Sequence, residues 1–125
     1  MAVSPSDPNI VYVGIMGFGT GYGSGLGHVF KAVKINGAFQ WRNITGNLRD
    51  VPVNSILIDP AAPGDIYVAT DAGVWLSTND GANWFPYGEG LPHPAVLQLK
   101  MATSKQRLIV AATHGRGAWA IPPLH

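Results

Sequence analysis

Trp41 through Thr70 of this chain aligns without a gap on Trp84 through Thr113, a repeat of 43 residues. The matched pairs include Trp41/Trp84, Leu48/Leu91, Val53/Val96, Ile66/Ile109, Ala69/Ala112 and Thr70/Thr113. A third copy lies earlier: Ser4 to Gly14 falls on Asp59 to Ala69, sharing both prolines and the Tyr-Val pair. A period this long, built from short apolar runs, predicts stacked β units that cannot bury their faces alone. The chain holds about three of them.

Within the central copy the expected strands are Asn54–Asp59, Asp65–Thr70, Val74–Thr78 and Asn83–Tyr87. Turn chemistry separates them: Pro60-Ala-Ala-Pro63-Gly64, Asp71-Ala-Gly73 and Asn79-Asp80-Gly81. The second of these strands is apolar on both faces, as befits a strand sandwiched between neighbouring sheets. The first copy offers Met1–Ser4, Ile10–Ile15, Val29–Val33 and Gln40–Ile44. The third offers Val96–Met101, Arg107–Thr113 and Ala118–Ile121, then stops at Pro122-Pro123, which cannot donate to a ladder. No stretch shows a sustained helical period. Four short antiparallel strands per unit predict an all-β chain of β-propeller blades, about three per chain. The expected boundaries are 1–50, 51–93 and 94–125, the last unit lacking its outer strand.

Composition narrows the function classes. Apolar residues make up 46% of the 125 and charged residues 12%, with a net charge of +1 and no run of either sign. That lacks the electrostatic footprint of a nucleic-acid binder. No apolar run approaches a membrane span and no signal-peptide pattern opens the chain, so neither is expected. With no cysteine, disulfides and thiolate zinc sites are excluded. The four histidines have no ligand-type spacing, so no metal is expected, and no cofactor motif appears.

The segment Ser77-Thr-Asn-Asp-Gly-Ala-Asn-Trp84 resembles the Asp-box of the bacterial neuraminidase repeat, found in sialidases, xyloglucanase-type glycosidases and sortilin-like propellers. Ser77, Gly81 and Trp84 match that motif, Asn79 stands for its Asp, and Asn83 for its Ser/Thr. The resemblance implies a structural box: a short polar side chain closes the turn, Gly takes the φ > 0 position, and Trp plugs between blades. The first copy keeps a degenerate form, Asn36-Gly37 followed by Trp41. Thr113 to Trp119 is similar to the last blade of large members of the family, and related propellers are often secreted. By the same plan, Trp75 and Trp119 occupy equivalent strand positions and are expected in the core.

Propellers close with about four to eight blades. Three would leave two apolar blade faces in water, beyond what a monomer tolerates. Either two chains pair by a two-fold axis into a six-bladed ring, the commonest kind of closed assembly, or the chain is a piece of a longer propeller.

The rim opposite the box corners gathers Phe18, Tyr22, His28, Arg49, Asp50, Asp71, Glu89, His93, His114 and Arg116. Between its second and third strands the first copy has ten residues more than the second, and the loop Met16–His28 there carries glycine at alternate positions. It has neither the spacing of a dinucleotide fingerprint nor a P-loop lysine. It reads as a surface loop, or as a lid whose aromatics suit a sugar ring or a peptide. Phe18, Tyr22, His28, Arg49, His93, His114 and Arg116 are the candidate ligand contacts. A glycosidase needs two carboxylates about 5–9 Å apart. Asp50, Asp71 and Glu89 are the weak candidates, and no arginine triad of sialidase type can be assigned. The expected function is therefore a non-catalytic propeller module for binding or assembly, taking a glycan or peptide. The alternative is a glycoside-hydrolase-like propeller, of xyloglucanase or sialidase type, whose site a partner chain or missing blades complete.

Overall fold

The computed structural model describes residues 2–4, 7–14, 28–48, 52–62, 64–87, 96–102, 108–113 and 117–124. These form eleven strands and no helix. Sheet I contains β1 (Ala2–Val3), β2 (Ile10–Gly14), β3 (Val29–Ile35) and β4 (Ala38–Asn43). Sheet II contains β5 (Val53–Ile58), β6 (Ile66–Thr70), β7 (Gly73–Ser77) and β8 (Phe85–Tyr87). Sheet III contains β9 (Val96–Ala102), β10 (Leu108–Thr113) and β11 (Gly117–Ile121). Every pairing is antiparallel between consecutive strands, so each sheet is a simple meander. Each strand overlaps its expected range to within two residues at either end. The Asn36-Gly37 pair makes the two-residue β3–β4 turn, with φ of 51° and 82°. Positive φ at both positions matches the twist of the flanking strands.

The core consists of two layers, one on each side of sheet II. Residues paired across a ladder share a face, so registers sort the side chains cleanly. Ile56, Ile58, Ile66, Val68 and Trp75 point toward sheet I and pack with Tyr12, Val29 and Ile10. Leu57, Tyr67, Ala69, Val74, Leu76 and Tyr87 point toward sheet III, against Val96, Leu99, Ile109, Ala111 and Ile121. All five residues of β6 are buried, which is why that strand reads as apolar on both faces. The sheets meet through their early strands: β1 and β2 touch β5, while β5 and β6 touch β9.

Register also makes equivalent positions visible. Phe30 opposes Val13, Trp75 opposes Val68, and Trp119 opposes Ala111, so all three aromatics occupy one position of the repeat. Trp75 packs against the first core layer, whereas Trp119 is 37% exposed. The expectation of a core Trp119 is thus corrected. It sits on the edge strand β11, where no described strand covers its outer side. The chain after β11 packs back instead, with the Leu124 N–H donating to Tyr67 Oη (2.8 Å) and Tyr87 Oη donating to the Pro122 carbonyl (2.7 Å).

Two buried tyrosines, Tyr12 and Tyr67, and the half-buried Tyr87 give the layers a pH signature. Burial pushes the Tyr67 phenol up to about 12, with the Leu124 N–H opposing the rise. Burial also raises Tyr12, as do a hydrogen bond to Asp80 and that carboxylate's charge, and burial again raises Tyr87. A raised phenol pKa means the fold holds the proton more tightly than the unfolded chain does. The associated stability is complete below pH ~10 and is lost as pH climbs from there through the folded values. Alkaline unfolding followed by tyrosinate absorbance should therefore be cooperative above pH ~10. Tyr67→Phe should flatten the loss; an unchanged profile would contradict the assignment.

Candidate functional site

The segment between β7 and β8 is held by a local network of side-chain hydrogen bonds. Ser77 Oγ accepts from the Gly81 N–H (2.8 Å) and donates to Asn79 Oδ1 (2.9 Å). Asn79 Oδ1 also accepts from the Asn83 N–H at 2.9 Å. The asparagine thus supplies the acceptor that a carboxylate would offer, which explains how the turn tolerates it. Asp80 and Gly81 both have positive φ, 59° and 90°. A Cβ on Gly81 would lie 2.6 Å from Ile44 Cβ, so both conformation and space demand glycine there.

This corner docks on the end of sheet I. Trp84 is 2% exposed, and its indole N–H donates to the Ile44 carbonyl at 3.0 Å. Asn47 clamps the same residue by both its backbone groups. Its Oδ1 accepts from the Trp84 N–H (2.6 Å) and its amide donates to the Trp84 carbonyl (2.9 Å). Asp80 adds a polar clasp: Tyr12 Oη donates to its Oδ1 at 2.8 Å, and Lys31 forms an ion pair with its Oδ2. Lys31 also stands 5.7 Å from the Tyr12 ring centroid, within cation–π range.

Of the expected rim residues, the structure describes His28 and Asp71. His28, 3% exposed, opens the approach to β3, and its backbone N–H donates to Thr45 Oγ1 at 2.8 Å. Asp71 lies in the exposed β6–β7 turn, where its Oδ1 accepts from the Asn54 amide at 2.9 Å. The same amide donates to the Val96 carbonyl, so Asp71 belongs to a bridge between sheets II and III. Phe18, Tyr22, Arg49, Asp50, Glu89, His93, His114 and Arg116 lie outside the described residues, as do residues 16–27 of the glycine-rich loop. Among the described residues, no group of three or more His, Asp or Glu is placed to hold a metal.

Sequence reasoning missed a different surface. Every residue of β4 is exposed, including Phe39 (45%) and Trp41 (60%), whose ring centroids lie 6.4 Å apart. On the other side of the strand a groove of about 340 Å³ is lined by Lys31, Val33, Ile35, Gln40 and Arg42, with Trp41 at its margin. Trp41 opposes Ala32, two residues beyond Phe30, just as Ser77 stands two beyond Trp75. The register therefore places Trp41 where Trp84 sits one unit later. The residues are equivalent and their burial is opposite. Alternation of Phe39 and Trp41 on an edge strand was the available signal, but sequence alone could not say which tryptophan had a neighbour.

No known protein family's sequence profile matches the chain, and no curated protein matches it.

Truncating the two tryptophans should separate these environments. Trp84→Ala should lower unfolding stability by about 3–5 kcal/mol, the range for emptying a buried aromatic site. Trp41→Ala, measured in dilute solution, should cost less than ~0.5 kcal/mol. Equal costs by denaturant titration would contradict the described docking.

Proposed function

We propose that the chain is a non-catalytic β-propeller module for binding and assembly, in which sheets I, II and III are successive blades. The single observation that carries this reading is the contrast between Trp84 and Trp41. One repeat position is sealed where a described sheet lies beside it and bare where none of the described sheets does. A face built on the pattern of a sealed one, yet carrying exposed Phe39 and Trp41, is a surface made for a partner. The order of the meanders, the sandwiching of β6 and the bonding of the Ser77–Trp84 corner also support it, because each is what an Asp-box propeller would require.

The ligand class that best suits the exposed surface is a glycan or peptide. Trp41 and Phe39 offer aromatic faces on one side of β4, while Gln40 and Arg42 supply an amide and a planar donor fork from its other side, on a strand that is exposed throughout. The role of Asp71 favours binding over hydrolysis, since its carboxylate is engaged in holding Asn54 between two sheets. The full chain should bind members of a glycan or peptide array saturably. It should release no product from xyloglucan, other β-glucans or a sialyl reporter. Turnover that disappears in Asp71→Asn would replace this reading with the glycoside-hydrolase one.

A further inference from the structure

We infer that the free face of sheet I is the docking surface for a second copy of this chain, which presents the free face of sheet III. The inference rests on the assembly reading above and adds to it the partner, the polarity and the residues. The ladder registers place Val11, Val13, Phe30, Lys34, Phe39 and Trp41 on the face of sheet I that no described strand covers, with Ala32 buried among them. Its repeat equivalents in sheet II are Ile66, Val68, Trp75 and Trp84, packed in the first core layer. In sheet III they are Ile109, Ala111 and Trp119, of which Ile109 and Ala111 are fully buried in the second layer. Twice within the chain, this kind of face is covered by the opposite face of the sheet before it. Tyr12 and Val29 cover sheet II; Tyr67, Ala69 and Leu76 cover sheet III.

One described face of the covering kind remains unused, that of sheet III. Registers place Gln98, Lys100, Val110, Ala112, Ala118 and Ala120 on it. Val110 occupies the repeat position of Tyr12 and Tyr67, and Ala112 that of Ala69. Its shape is the inverse of the sheet I face. Small side chains there leave a recess of about 300 Å³ over Gln98, Lys100, Met101, Val110 and Ala112. Sheet I offers a ridge of Phe39 and Trp41 with Phe30 beside it. Large side chains opposite small ones are what close packing between layers requires. Joining two sheet I faces would set ridge against ridge and leave the alanine face of each copy in water. Head-to-tail pairing covers both. Two such contacts related by a two-fold axis close six sheets into a ring, within the range that propellers occupy.

Two single-face variants and their mixture test this. Trp41→Glu disables the sheet I face, and Val110→Glu the sheet III face; both positions lie on the outside of one chain, and circular dichroism checks that each variant folds. Sedimentation of the wild type should give twice the chain mass, and each variant alone should give one chain mass. An equimolar mixture should recover the two-chain species through its one intact contact, weaker than wild type by more than about tenfold. If a glutamate variant misfolds, Phe39→Lys and Ala118→Glu make the same comparison from other exposed positions on the same two faces. A wild type that stays at one chain mass at all concentrations would overturn both this inference and the self-assembly it builds on, leaving only ligand binding. A dimer lost in Trp41→Glu but kept in Val110→Glu would mean that sheet I pairs with itself. A dimer that survives both variants, or an open-ended series of larger species, would equally overturn the head-to-tail ring while leaving assembly itself intact.

Discussion

The docking of Trp84 on the end of sheet I is the interaction on which the rest of the structure depends. A repeat unit that is a single antiparallel sheet has two faces and cannot bury its apolar one alone, so it depends on a stacked neighbour. Here one tryptophan is buried against the neighbouring sheet, with its indole N–H on Ile44 and its backbone held by Asn47. Hydrogen bonding and apolar burial therefore act at the same point. Because no polar group of Trp84 is left without a partner, the sheets gain the burial without an orphaned donor. The Tyr12–Asp80–Lys31 cluster pins the same two sheets at a second place, so sheet II is fixed in position as well as in contact.

Sheet II owes its character to this arrangement. Among the described residues it is the one sheet covered on both sides, and Thr70 and Ser77 are buried accordingly. Thr70, fully buried, donates to the Gly73 carbonyl and accepts from the Ala72 N–H, satisfying the β6–β7 turn locally. Thr113 repeats half of that bond toward Gly117 in sheet III. Asp59, also fully buried, accepts from the Ala61 N–H and so closes the turn that leads into β6. The repeat therefore conserves a wiring pattern along with its hydrophobic residues, and a buried turn with its own acceptor can be copied from sheet to sheet.

Strand order, sheet membership and the two-sided burial of β6 were legible in the sequence because period and turn residues report them directly. The Ser77–Trp84 corner was legible for the same reason: serine, asparagine and glycine there have local tasks. What could not be read was whatever depends on a neighbour. Trp41 and Trp84 are the same residue in the same register, and the layer beside each one decides its burial; Trp75 and Trp119 also share a register, and the edge position of β11 leaves Trp119 exposed. The packing of Pro122–Leu124 onto Tyr67 and Tyr87 was hidden too, since a proline pair says where a ladder stops and not where the chain goes next. Of the rim candidates, Asp71 proved to be bonded into an intersheet bridge, a role its turn position alone did not disclose.

The central claim is that faces of equivalent composition are meant to be covered, and that the exposed one differs only in lacking its neighbour. Hydroxyl-radical footprinting of the intact chain across a dilution series reads this residue by residue. Trp84 should stay protected throughout, while Trp41 should be protected when concentrated and become reactive on dilution. Trp41 that is equally reactive at every concentration, or Trp84 that reacts as readily as Trp41, would contradict the account.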